Sequence, residues 1–296
     1  MEFDVNFFQE EERSGFLVTE KRKKVWAAGL RMLELFDTVC RKYDLKYFVY
    51  YGTLLGAVRH QGFVPWDDDI DVVMLREDYE KFQAVAPAEI QEPYFFQNSY
   101  TDRLLWPFSK IRDSRTTAIE PKFAKVEGFH QGIFMDIFPL DSVPDGKNMQ
   151  FPVIEEIQKL LWNIVMIPRQ VLVELSGGKE MILDPGFIVD LVKEDVRYRF
   201  RVFEEFMASH FGETEQVNYI LYEMYPTHYR STKLKWFQET VYLPFEHLRV
   251  PAPAEYDQIL TQSYGDYHKP VRGGTEHEDI ILEPEIPYGE YLARFL

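Results

Sequence analysis

The run Trp66-Asp-Asp-Asp-Ile-Asp-Val72 constrains this chain more than any other feature. Four carboxylates within five positions repel one another unless a cation offsets them. The residues that follow, Val72-Val-Met-Leu75, are too apolar for an exposed loop. Ile70, Val72 and Met74 alternate against Asp69, Asp71 and Val73, which predicts a strand. Side chains alternate across a strand, so Asp69 and Asp71 project from one face with Cα atoms roughly 7 Å apart. Two carboxylates at that spacing reach common metal ions. Mg2+ takes one or two protein carboxylates and fills its shell with water and phosphate oxygens, and two such ions clamp an in-line displacement at phosphorus. Asp67 shares the parity but lies nearer the turn, which predicts a supporting role. Asp68 has the opposite parity and is expected to face away from that metal.

Two competing readings fit less well. A solvated acidic turn does not explain the buried-looking strand that follows. An EF-hand matches Asp67, Asp69 and Asp71, but then needs Gly where Val72 stands and a bidentate Glu where Asp78 stands.

Upstream, Tyr47–Tyr51 reads as a strand ended by Gly52-Thr53, with a short helix over Leu54–Arg59. Exposed N–H groups where such a helix opens suit phosphate, although the Gly-Lys-Ser/Thr of a P-loop is absent. Arg59 is a candidate phosphate contact, and His60 is equally a surface residue. Downstream, Asp136 lies among apolar strand residues in Gly132-Ile-Phe-Met-Asp-Ile-Phe138. A buried charge needs a partner, either a metal or backbone hydrogen bonds. Lys110 and Arg112 share one face of a strand, placed either to neutralise a diphosphate or to pair with nearby acids.

The rest of the chain frames these residues. An amphipathic helix is predicted over 19–44, with Cys40 among its buried positions, and a further helix over Arg76–Val85. Strands are expected at Tyr94–Gln97, Leu105–Arg112, Thr116–Ile119 and Gly132–Phe138. Longer helices begin near Met149, one carrying an apolar face from Ile188 to Phe211. A strand at Thr240–Leu243, a short helix near Tyr256–Leu260 and an irregular tail complete the pattern, an α+β core with an added helical subdomain. At 46% apolar and 16% aromatic the 296 residues supply a sizeable core. A formal net charge of −16 argues against a nucleic-acid binder, which needs a basic footprint. The single cysteine excludes an internal disulfide and a Cys-rich zinc site. No signal peptide is evident, and the longest apolar stretch, Leu160 to Pro168, is too short to span a bilayer. The expectation is a cytoplasmic protein without a transmembrane segment.

Taken in order, these motifs resemble the LicD family, named for bacterial phosphocholine transferases, with fukutin-type proteins as distant relatives. The matching text is Tyr51-Gly-Thr-Leu-Leu-Gly-Ala-Val-Arg-His60, Gly62-Phe-Val-Pro-Trp-Asp-Asp-Asp-Ile-Asp-Val72 and Asp78-Tyr79. It continues with Met135-Asp-Ile-Phe-Pro-Leu-Asp141, Val241-Tyr-Leu-Pro-Phe-Glu246 and Tyr264-Gly-Asp-Tyr267. The resemblance runs from about residue 24 to about 270 and departs at the tail, where His268-Lys-Pro-Val-Arg-Gly-Gly follows. It implies a nucleotidyltransferase-like mixed β-sheet core flanked by helices over 1–147, a helical subdomain over 148–235 and a segment packing back on the core over 236–296. It also implies roles: Gly52 and Thr53 at the phosphates, Asp69 and Asp71 as metal ligands, and Asp136 as the third acid, which also helps deprotonate the acceptor hydroxyl.

The activity this implies is transfer of phosphocholine, or a similar phosphoalcohol, from CDP-choline or a related CDP-alcohol. The acceptor is a hydroxyl of a teichoic acid or lipopolysaccharide glycan, the cofactor Mg2+ or Mn2+, and CMP is released. Aromatic faces hold a quaternary ammonium, with Tyr50, Tyr51, Trp66 and Trp106 as candidates. The segment Phe151–Leu175 leaves open a peripheral approach to a lipid-linked acceptor at the inner face of the membrane. Two alternatives remain at this stage. One is an Asp-x-Asp glycosyltransferase using a nucleotide sugar, which leaves the Gly-Thr element unexplained. The other is a non-enzymatic choline- or glycan-binding module, which has no need of clustered carboxylates.

Overall fold

The structure is a computed structural model that describes residues 3–102, 106–166, 185–219, 231–273 and 279–295. Its chain forms two compact units, one of Met1–Phe138 with Phe237–Leu296 and one of Pro139–Trp236.

The first unit opens with a hairpin, β1 (Glu11–Arg13) and β2 (Phe16–Val18), followed by helix α1 (Glu20–Lys42). Thr19 caps α1 by accepting from the Arg22 N–H, and Arg41 and Lys42 sit at its negative end. Its apolar stripe, including Trp26, Leu30, Leu33 and Phe36, is buried, at roughly 1.5–3 kcal/mol for each large side chain. Cys40 is buried with it, as expected.

The central sheet contains β3 (Phe48–Val49), then, beyond helix α2 (Tyr51–Arg59), β4 (Asp71–Leu75). Helix α3 (Arg76–Glu89) leads to β5 (Tyr94–Gln97) and β6 (Ser109–Asp113). After β7 (Thr117–Ile119) comes β8 (Ile133–Val143), which belongs to this unit as far as Phe138. The strand order is β3-β4-β8-β6-β5. The pairs β3–β4, β5–β6 and β6–β8 are antiparallel, and β4 beside β8 makes the sheet mixed. Val72, Val73 and Met74 are all buried, so β4 is covered on both faces.

The second unit continues β8 from Pro139 and pairs it with β9 (Gln216–Asn218), reached through helices α4 (Phe151–Met166), α5 (Pro185–Lys193) and α6 (Val196–Ser209). Trp162 of α4 packs on Phe200 and Phe203 of α6, with centroids 5.8 and 5.5 Å apart. Strand β10 (Thr232–Lys233) pairs with β9. The chain then returns to the first unit as a hairpin, β11 (Thr240–Phe245) and β12 (Leu248–Pro253), packed against α2 and β3. Helix α7 (Tyr256–Tyr264) also packs on α2, β13 (Ile281–Glu283) pairs with β7, and α8 (Tyr288–Phe295) follows.

The α+β class with a mixed sheet and flanking helices is as expected; several local expectations need correction. Helix α2 begins at Tyr51, so Gly52 and Thr53 lie inside its first turn and do not merely end a strand. Strand β4 begins only at Asp71, because a turn closed by Asp67 N–H to Val64 O holds the preceding residues out of the sheet. The apolar face from Ile188 to Phe211 belongs to two helices, since Asp195 caps a new start by accepting from Arg197 and Tyr198. The tail is not wholly irregular, as β13 and α8 lie in it. Leu105, at the start of one expected strand, and the part of Phe151–Leu175 beyond residue 166 fall outside the described residues. Among the described residues, no helix is long and apolar enough to cross a membrane.

Candidate active site

The site is built at the junction of β3 and α2. Tyr50 donates its N–H to the Asp71 carbonyl at 3.0 Å, and the Asp71 N–H donates to Thr53 Oγ1 at 2.8 Å. The peptides on both sides of Asp71 are therefore held by the residues that open α2. Tyr51 sits at φ +42°, a conformation costly for a large side chain. Its ring is held edge-on between Tyr50, at 4.8 Å, and Phe138, at 5.6 Å. Gly52 has no room for a side chain, because a Cβ there would lie 2.2 Å from Asp67 Oδ2. The Gly-Thr pair thus shapes the acidic loop directly, and the Thr53 hydroxyl, buried, is engaged by Asp71.

The loop carrying Asp67 to Ile70 is fastened from α1. Both Trp26 Nε1 and the Arg22 guanidinium donate to the Asp67 carbonyl, at 2.8 and 2.9 Å. Trp26 also lies flat on Phe63, centroids 4.7 Å apart, which fixes the turn before the acids. At the far end the Asp136 N–H donates to Ile70 O at 2.8 Å, tying β8 to the entry of β4.

The result is a convergence of carboxylates. One ligand atom from each of Asp69, Asp71 and Asp136 lies within 4.8 Å of the others. Asp67, Asp68 and Asp69 meet the same condition, so Asp69 belongs to both groups. Asp68 is grouped with Asp67 and Asp69 and not with Asp71 and Asp136, although this run is a loop and not a strand. Burial pushes the Asp71 carboxyl well above the ordinary carboxylate range, and the charges on Asp69, Asp136 and Asp67 add to the effect. Burial likewise raises Asp67, with Asp69 and Asp68 contributing. Such a set favours a divalent cation, whose charge would offset the repulsion.

The two basic residues of β6 are both buried. Lys110 Nζ lies 2.6 Å from Asp136 Oδ1 and 3.6 Å above the Phe134 ring. Burial lowers its pKa, against the pull of Asp136. Arg112, 4.8 Å from the same ring, donates to Gln97 Oε1 and, at 2.8 Å, to Gly132 O; burial lowers its pKa to about 10. Lys110 therefore stands directly at the acids, whereas Arg112 belongs to a buried network that runs through Gln97 to Asp102.

Arg59 and Trp66 meet at a cavity of about 390 Å³ that also touches Gly52 and Asp67. Of the four aromatic candidates, Trp66 is in its wall; Tyr50 is buried against Tyr51 and Phe237, and Trp106 is 38% exposed. Tyr264 and Tyr267 complete the aromatic part of the wall. No local pattern linked these tyrosines to the acids roughly two hundred positions earlier; Tyr264-Gly-Asp-Tyr267 as a motif was the available signal.

The family model described as "LicD/FKTN/FKRP, nucleotidyltransferase domain" matches residues 44–154, the segment that carries α2, the acidic loop and Asp136. The chain is 28% identical over 247 residues to the lipopolysaccharide cholinephosphotransferase LicD of Haemophilus influenzae, covering 81% of this chain and 88% of that protein. An uncharacterised protein of Rickettsia prowazekii is 42% identical over 77 residues, 24% of this chain and 29% of its own. Another from Rickettsia typhi is 52% identical over 46 residues, 16% and 15% of the two chains. The chain's core motifs thus lie inside the segment matched by that family model, and its similarity to the Haemophilus influenzae protein extends over most of its length.

Proposed function

We propose that this chain is a metal-dependent transferase that moves phosphocholine, or a closely similar phosphoalcohol, from a CDP-linked donor to a glycan hydroxyl. The glycan is of the lipopolysaccharide or teichoic acid type, and CMP is released. The convergence of Asp69, Asp71 and Asp136 beside the first turn of α2 carries the reading, supported by the similarity to a lipopolysaccharide cholinephosphotransferase.

The residues fit a divalent ion. Asp69 and Asp71, with Asp136, would hold Mg2+ or Mn2+, which supplies positive charge to phosphate oxygens. The chain's own groups do the rest. Thr53 and Tyr50 hold the Asp71 backbone in place, so its carboxylate is pre-positioned. Asp136 takes the proton of the acceptor hydroxyl as its oxygen bonds to phosphorus, and the bond from phosphorus to the CMP oxygen breaks. Lys110 balances the Asp136 charge.

The test is a panel of CDP-alcohols, CDP-choline first, with Mg2+ or Mn2+ and with or without glycan, following CMP. Nucleotide sugars form the control arm. Wild-type turnover by Asp69→Ala or Asp71→Ala would remove the metal-site assignment, and turnover in excess chelator would remove the mechanism.

A further inference from the structure

The cavity beside Gly52 combines three kinds of wall. Trp66, Tyr264 and Tyr267 contribute aromatic rings, while Leu55, Val64 and Val271 contribute apolar surface. The wall also includes Asp67, close against Gly52 and with a carboxylate oxygen within 4.8 Å of one from Asp69. The cavity therefore adjoins the acid cluster directly.

The charges in the wall select among ligands. Lys269 is paired with Asp266 at 2.8 Å. Arg59 directs Nε to His60 Nε2 at 2.9 Å and a terminal nitrogen to the Tyr267 carbonyl at 3.2 Å. Lys269 is thus neutralised by its partner, and Arg59 has two of its donors engaged. A free anion gains little in such a wall. A sugar would seek a row of hydrogen-bonding groups, whereas much of the lining is aliphatic or aromatic. A cation clothed in methyl groups suits it on both counts: ring faces attract the charge, and the methyl surface is removed from water. Tyr267 is held for such a role, being buried with its hydroxyl donating to Asp257 at 2.7 Å.

We propose that this cavity receives the quaternary ammonium head of the transferred phosphoalcohol, with Trp66, Tyr264 and Tyr267 as the aromatic wall and Asp67 linking it to the acids. This rests on the phosphocholine-transferase reading and extends it to donor selectivity: a trimethylammonium fills the cavity, and a primary ammonium, more strongly hydrated and lacking the methyl groups, does not.

The experiment uses the full chain and has two arms. In the first, choline chloride and ethanolamine are titrated without donor or acceptor, following tryptophan fluorescence and heat. Tyr264→Ala and Trp66→Ala are expected to weaken choline binding about tenfold. Tyr264→Phe, which keeps the ring face, is expected to stay near wild type, and ethanolamine to bind more weakly and insensitively to the substitutions. Tyr264 is 43% exposed, so its truncation leaves the core intact, which circular dichroism checks. In the second arm, KM for CDP-choline and for the glycan are measured separately. A rise in KM for CDP-choline alone supports the proposal. Unchanged choline affinity in the alanine variants, absence of saturable choline binding to the wild type, or a rise confined to the glycan KM overturns it. Failure of every CDP-alcohol to yield CMP counts against the transferase reading, while the first arm still decides the cavity.

Discussion

The hydroxyl of Thr53 accepts the backbone N–H of Asp71 at 2.8 Å, joining the first turn of α2 to the first residue of β4. A helix start and a strand start eighteen positions apart are joined by this bond, alongside that from the Tyr50 N–H to the Asp71 carbonyl.

Replacing Thr53 by Val keeps the shape and leaves the Asp71 N–H buried without its acceptor. The expected loss is about 1–3 kcal/mol in urea unfolding, together with a fall in CMP release. Thr53→Ser should retain both. Equal stability of the Val and Ser variants would show that the bond contributes nothing.

Gly52→Ala places a methyl where Asp67 Oδ2 now lies. The carboxylate must move, at a cost of about 1–3 kcal/mol, and turnover should fall further than that stability change explains. Titration with Mn2+ followed by electron paramagnetic resonance should show weaker binding in the variant.

The acids also set a pH dependence. The Asp71 carboxyl is raised by burial and neighbouring charge from an ordinary 3.8. A carboxyl that holds its proton more tightly folded than unfolded contributes stability below the unfolded value, lost as pH rises through the folded one. Metal-free protein should therefore melt progressively lower, through this group, as pH rises above about 4. Added Mg2+ or Mn2+ should raise the melting temperature most at the top of that range, where no proton competes. Calorimetry in chelator and in metal, across pH, checks this; a metal effect that is largest in acid would contradict it.

Lys110→Met leaves the buried Asp136 without its cation. The expected cost is about 3–5 kcal/mol, read from denaturant unfolding, and Mn2+ should restore more stability to this variant than to the wild type. Equal restoration would place the ion away from Asp136.

How far the sequence revealed the site depends on how local each signal was. Helix α1 was legible because its apolar residues recur with the helical period and Thr19 supplies a cap. Asp69 and Asp71 were singled out by alternation, yet Asp69 lies in a loop whose Asp67 carbonyl is held by Trp26 and Arg22, contacts that no periodicity encodes. Gly52 and Thr53 were placed at phosphate by analogy with helix starts; the structure adds that they clasp Asp67 and Asp71. Strand β12, with prolines at 251 and 253, and the short β13 escaped because neither has a clean alternating pattern. The partnership of Lys110 with Asp136 was one of two open readings, since a strand pattern records the face but not the opposing residue.

Glu246, at φ +51° in the hairpin turn, grips the opposite end of the chain. Its carboxylate binds Arg13 at 2.6 Å and accepts the Phe63 N–H at 3.2 Å, while its own N–H donates to Gln61 O. The segment it holds, Gln61 to Phe63, leads straight into Trp66 and the aspartates. During synthesis every acid of the cluster therefore emerges from the ribosome long before Glu246, which braces the turn ahead of their loop. Completion of the site's surroundings is a late event in the life of the nascent chain, and a translation product halted ahead of the β11–β12 hairpin would carry all the acids and the α1 contacts to their loop without the brace that Glu246 adds.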